Sequence, residues 1–429
     1  MNPKTREGAA CKTAQAHADE KPEGMRYKKD KPMNLADVFP PNGHVQHLYC
    51  NQCNDYLDLS FTDFSEDVSG ICISIDGLPV LRCRKCSATF LLDDSRVAII
   101  YLHEQATKAR KSVVKVTHKN TDRDFGFTKV PFVYDSDDYK YIPGLYRPFN
   151  EGFLTPVFFN KEVLIKYDAS PVYRVSFASK TYGEIRQGDA FSMPFGLNRN
   201  DKLIMWLGDI ASLPETEQYY LRSENVPSDH SIGSEFYDAQ IECKFTDPSP
   251  EDNLFKDRST FLEACFGRFG EKLAQLDKEV LDLAVTVQRP LVDSARTRRD
   301  VADVLNKIYI ESFNNKALGK ALDVLGEDAK SLGSLKRLQK LLEKSSPMSN
   351  ISEMMSPFYV LYDLRVAFSH LGSEKGSQES LQYVQKRLAL GESAGLLDIY
   401  DRLIVELSAA FKKITAVVGD GTKYWTKRR

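Results

Sequence analysis

Long apolar runs are missing from this 429-residue sequence. No segment approaches the roughly 18 apolar residues of a membrane span, and the opening MNPKTREGAACKTAQAHADEKPEG has no apolar core of signal-peptide type. The expected compartment is therefore the cytoplasm, with no membrane partner. An excess of one charge is missing as well: 58 Lys and Arg stand against 60 Asp and Glu. That balance excludes a chain that coats nucleic acid through its overall field, and any such contact must be local. Four familiar enzyme signatures are absent too, namely the P-loop, G-x-S-x-G, H-E-x-x-H and the dinucleotide fingerprint, so the chemistries they support have no carrier here.

What remains is a globular composition, 42% hydrophobic and 28% charged, on a chain long enough for roughly two to four cores. Residues 1–43 are polar and small at first and read as a disordered tail. Residues 44–102 carry short strand-like runs, LPVLRC and ATFLLDD, around paired cysteines, and SRVAIIYLHEQ closes that module in the same strand-like style. Residues 103–250 are rich in aromatic and β-branched side chains, with VLIKY, VYRVSFAS, KLIMWLGD and IECKF separated by turn residues, and read as a β-rich middle domain. At TDPSPEDN the hydrophobic period switches from two to about 3.6. Residues 251–418 then form an all-α bundle, in which Leu262, Phe266, Phe269, Leu273, Leu276, Val280 and Leu283 mark one long first helix. Residues 419–429 are a basic tail. The expected class is a multidomain α+β chain: an N-terminal zinc ribbon, a β-rich middle domain and a C-terminal helical bundle.

Eight cysteines distribute unevenly. Cys50-Asn-Gln-Cys53 and Cys83-Arg-Lys-Cys86 are two C-x-x-C knuckles, and two such turns facing each other make a closed tetrahedral S₄ site suited to structural zinc. Four thiolates leave no open coordination position, so the ion organises a fold and does not activate water. His44 and His47 precede Cys50 and read as surface residues beside a complete ligand set. Cys72, Cys243 and Cys265 read as ordinary buried thiols, and Cys11 falls in the tail. Arg82, Arg84 and Lys85 make the second knuckle basic, which is either a phosphate or protein contact or simply a solvated turn. Arg296, Arg298 and Arg299, in SARTRRD at the start of a helix, are either a track for an RNA backbone or partners of neighbouring acids.

The stretch FYVLYDLRVAFSHLGS, residues 358–373, is an apolar helix carrying Arg365 and His370. It resembles the R-x(4–6)-H motif of the HEPN superfamily, all-α domains of prokaryotic toxins, phage-defence proteins and RNA-processing enzymes. The resemblance covers the helical region alone. Arg96 and His103 match the same spacing in SRVAIIYLHEQ, and Val366 stands where active members often place a polar residue. The resemblance implies a HEPN-like bundle and a metal-independent endoribonuclease with Arg365 and His370 as catalytic residues: His370 takes the ribose 2′-hydroxyl proton and Arg365 stabilises the phosphate charge. It implies RNA as substrate, a homodimer through the helical domain, and a toxin or anti-phage setting with a regulatory protein or phage trigger. The alternative is a non-catalytic interaction protein binding nucleic acid or a protein partner.

Overall fold

The computed structural model describes residues 32–40, 45–120, 122–145, 149–328, 331–346, 350–369 and 374–419. The chain divides into two compact units. The first comprises residues 1–163, 172–174 and 181–245; the second comprises residues 164–171, 175–180 and 246–429. Antiparallel sheets dominate the first and helices the second, a multidomain α+β layout.

The β unit begins with a long hairpin, β1 (Leu57–Val68) and β2 (Ile71–Cys83). Its two-residue turn, Ser69-Gly70, has positive φ at both positions, 48° and 89°. That is the primed geometry whose twist matches antiparallel strands, and Gly70 carries the larger angle without a Cβ penalty. β3 (Thr89–Leu91) extends the sheet antiparallel to β2, and β4 (Val113–Thr117) lies parallel to it on the other side. Alternation along β2 buries Ile71, Ile73 and Ile75 on one face, where α1 (Asp93–Lys108) covers them with Ile99 and Ala106. A second antiparallel sheet includes β5 (Pro156–Asn160), β6 (Tyr182–Gln187), β7 (Phe191–Leu197), β8 (Lys202–Trp206) and β9 (Asn225–Val226), which follow one another in the order β9-β5-β8-β7-β6. Its core includes Phe158, Trp206 and Phe236, the last two stacked at 4.9 Å, and continues into Leu57, Cys50 and Cys83.

Three of the expected strands take other forms. SRVAIIYLHEQ lies inside α1, because Asp93 and Asp94 in its first turn complement the helix dipole and Glu104 to Lys108 are good helix formers. VLIKY spans a 3₁₀ turn and the helix Leu164–Ala169. IECKF forms neither strand nor helix, and Cys243, expected to be buried, is exposed with φ of 52°.

In the helical unit α2 (Pro250–Phe269) and α9 (Leu396–Gly419) pack along each other. Ser249 caps α2 by accepting from the Asp252 amide. The single long helix expected from the apolar spacing stops at Phe269, where Gly270 takes φ of 70° and its N–H donates to the Phe266 carbonyl. A left-handed glycine cap overrides periodicity there. Leu273 and Leu276 fall between the helices, and Val280 and Leu283 belong to α3 (Asp277–Ala284). Next come α4 (Ala295–Asn306), α5 (Asn315–Val324), α6 (Ser334–Ser345), α7 (Ser356–Ser369) and α8 (Glu374–Arg387). One apolar cluster runs through the unit, with Phe358 edge-on to Phe411 at 5.0 Å and Phe261 beside it. Arg268 of α2 is buried because it donates to the Val417 and Val418 carbonyls at 2.8 and 3.1 Å, which would otherwise end α9 unpaired. No described helix is long and apolar enough to cross a membrane.

Candidate functional sites

The hairpin explains how cysteines 30 and 36 residues apart meet. Leu57 pairs with Cys83, so the start of β1 and the end of β2 share one edge and bring the two knuckles together. The knuckles are built alike. Cys50 N–H donates to the Asp55 carbonyl and Cys83 N–H to the Ala88 carbonyl, both at 2.8 Å, and each turn closes with a positive φ, at Asn54 (55°) and Ser87 (60°). Sγ atoms of Cys50 and Cys86 lie 3.4 Å apart, those of Cys53 and Cys83 3.5 Å, and all four lie within 4.8 Å of one another. A tetrahedral ion with metal–sulfur bonds of about 2.3 Å needs sulfurs about 3.8 Å apart. The quartet therefore has the size of a metal site, and its cysteines are free of disulfides. Burial pushes the Cys50 thiol up, but hydrogen bonds from the Gln52 and Cys53 amides and from the neighbouring thiols bring it down to about 7, whereas the same thiol–thiol hydrogen bonds contribute to pushing Cys53 up to about 12.

The basic residues around the second knuckle differ in freedom. Arg84 is turned onto the unit, with Nε 2.5 Å from Asp58 Oδ2 and Nη1 donating to Asn200 at 2.8 Å. Lys85 is exposed, and Arg82 is half-buried beside a polar cavity of about 340 Å³. His47 is exposed and pairs with Glu242 at 3.1 Å. His44 and Cys11 lie outside the described residues.

In the helical unit, Arg365 lies in the last turns of α7. Its Nε is 3.3 Å from Asp303 of α4, and its Nη1 is 3.0 Å from Glu311. Ser369 donates to the same Asp303 oxygen at 2.9 Å. Glu311 ends a π-helical segment, Lys307–Glu311, that continues α4. Buried Arg258 supports that irregular turn by donating to the Ile308 carbonyl and the Ser312 hydroxyl. His370 lies outside the described residues. The other match to the spacing, Arg96 and His103, sits on α1 of the β unit, where Arg96 donates to the Val38 carbonyl at 2.7 Å and serves packing.

The SARTRRD arginines also separate. Arg298 is consumed by a two-pronged pair with Asp293, at 2.5 and 2.9 Å. Arg296 is exposed and only loosely paired with Asp300 at 3.5 Å, and Arg299 is exposed.

Sequence reasoning missed one constellation. Asp137 and Asp138, adjacent and almost wholly buried, hold two histidines: His118 Nε2 lies 2.8 Å from Asp137 and His230 Nδ1 2.7 Å from Asp138. Both imidazoles pack against Phe61, at 5.5 and 5.4 Å. The hydrogen bond to Asp138 raises the His230 pKa above its ordinary value, against the opposing effect of burial. The Asp-Asp pair in SDDYK was the available signal, but its partners lie 19 and 92 residues away. No protein-family model, curated protein or solved structure matches this chain.

Proposed function

We propose that the chain is a HEPN-like, metal-independent endoribonuclease whose β unit is organised by zinc in the Cys50, Cys53, Cys83 and Cys86 quartet, the first module having zinc-ribbon character. The observation that carries the catalytic part is the clamp on Arg365. Asp303 and Glu311 orient its guanidinium from another helix, and the same Asp303 anchors Ser369, the residue before His370. An oriented cation next to a histidine is what phosphodiester cleavage through the ribose 2′-hydroxyl requires. His370 removes the 2′-hydroxyl proton, O2′ attacks phosphorus, the P–O5′ bond breaks with O5′ taking up a proton from solvent, and Arg365 bears on the phosphate charge. The products are a 2′,3′-cyclic phosphate and a 5′-hydroxyl. Two protomers paired through the helical unit complete the cleft in this reading, and zinc is favoured because sulfur-only tetrahedral sites suit it. The β unit restrains or directs the nuclease in a cytoplasmic toxin or anti-phage system, through a regulatory protein or a phage trigger. The test is cleavage of total RNA by the purified full chain without magnesium, with wild type compared against His370→Ala and Arg365→Ala.

A second reading rests on the same clamp. Two carboxylates on one guanidinium satisfy its charge and repel a phosphate, which favours a structural Arg365 in a non-catalytic interaction protein. Intact RNA after incubation with full chain, and unchanged partner capture by Arg365→Lys, is the outcome that reading requires.

A further inference from the structure

The helical unit contains a cavity of about 420 Å³ between α4 and the helix Leu164–Ala169. That volume falls in the range of small-ligand pockets. Val287, Leu291, Val301 and Val304 form apolar walls. Several polar groups at its edge are already committed: Arg289 pairs with Asp401 at 2.8 and 3.0 Å, the Tyr400 hydroxyl donates to Glu251, and the Thr286 hydroxyl donates to the Leu283 carbonyl. Asp168 differs. Its Oδ1 accepts from the Gln288 amide at 3.2 Å, and its Oδ2 takes no hydrogen bond from any described residue. The group left open is thus an acceptor, exposed at the cavity's mouth, and a ligand that brings an N–H or O–H donor on an apolar, compact body complements it. At the cavity's edge stands Arg296, exposed and only loosely paired. It adds a place for an anion.

We infer that this cavity is a base pocket for RNA: an amine-bearing nucleobase sits between the aliphatic walls, its exocyclic N–H donates to Asp168, and the adjoining phosphate meets Arg296. The assignment rests on the reading of RNA as substrate. It deepens that reading by naming a base class, because adenine, cytosine and guanine carry an exocyclic amine and uracil does not. Burial raises the Asp168 pKa, against the opposing field of Arg296 and the hydrogen bond from Gln288.

Calorimetric titration of the full-length His370→Ala chain, chosen so that RNA stays intact in the assay, tests the pocket. The probes are AMP, CMP, GMP and UMP, then short oligoribonucleotides that contain or lack the preferred base. At least one amine-bearing monophosphate should bind roughly 10-fold more tightly than UMP, the discrimination of one good base contact. Asp168→Asn should abolish that preference while leaving the melting temperature near that of the parent. Val304→Trp, which fills the cavity, should weaken every probe. The oligoribonucleotide should bind more tightly than its monophosphate. Equal affinity for UMP and the other three, or no binding by any probe at about 1 mM, a limit near 4 kcal/mol of binding energy, overturns the pocket. Monophosphates that bind as tightly as oligoribonucleotides make free nucleotide the occupant and overturn the RNA assignment. Base-selective binding by a chain whose wild type never cuts RNA keeps the pocket and removes only the nuclease.

Discussion

In the helical unit a single apolar cluster runs from Leu254 of α2 to Val418 of α9, and the buried arginines beside it serve the backbone, Arg268 at the end of α9 and Arg258 at the π-helical turn. In the β unit the apolar side chains divide into separate clusters, one under α1 and one between the two sheets, and the second of these includes Cys50 and Cys83. The difference teaches where each unit is vulnerable. A continuous core loses stability gradually as side chains are trimmed, whereas a divided one depends on the device that fastens its edge.

The comparison breaks most visibly at the cysteines. Cys83→Ser should remove the bound metal, from one ion per chain to none by elemental analysis, and open residues 45–92 to protease while residues 250–419 stay protected. Retained metal with unchanged protection would mean that the β unit does not need the quartet. In the other unit, Phe411→Ala should cost about 4 kcal/mol in denaturant unfolding, because Phe411 is wholly buried against Phe261 and Phe358, with the metal content unaffected. An effect under about 1 kcal/mol would show that the helical core is not continuous there.

A smaller effect separates the units by pH. The His230 pKa is raised in the folded chain through its hydrogen bond to Asp138, with Asp135 and Asp229 adding in the same direction. Folding therefore binds its proton more tightly than the unfolded chain does. The stabilisation is fully present below the unfolded value of about 6.5 and is lost as pH rises through the folded pKa. The melting temperature of the β unit should fall from pH 6 upward, and His230→Gln should flatten that fall. A profile identical to wild type would remove His230 from the account. The smallest effect is at the knuckle turns. Asn54→Ala forces a Cβ-bearing residue without a compensating side chain into φ of 55° and should lower stability by about 1 kcal/mol, whereas Asn54→Gly should be nearly neutral.

Where periodicity and turn chemistry acted locally, the sequence was readable. The switch at TDPSPEDN, the hairpin strands around LPVLRC and the cysteine pairs all depend on neighbours within a few residues, and the four thiols do converge. Readings failed where a short β-branched run was settled by what surrounded it. SRVAIIYLHEQ followed its N-terminal aspartates into a helix, VLIKY turned helical, and Gly270 cut a helix that its apolar repeat continued. The histidine–aspartate pairs were out of reach for a different reason. His230 and Asp138 are 92 residues apart, and only the packing of both imidazoles on Phe61 of β1 joins them. Likewise nothing in SARTRRD told that Asp293 would consume Arg298 and leave Arg296 exposed.

The most direct test of the central claim is the fate of RNA incubated with purified full chain in magnesium-free buffer. The account predicts fragments ending in 2′,3′-cyclic phosphate, with cleavage lowered by roughly 100-fold or more in both His370→Ala and Arg365→Ala. Intact RNA, cleavage that requires magnesium, or activity indifferent to His370 would contradict it.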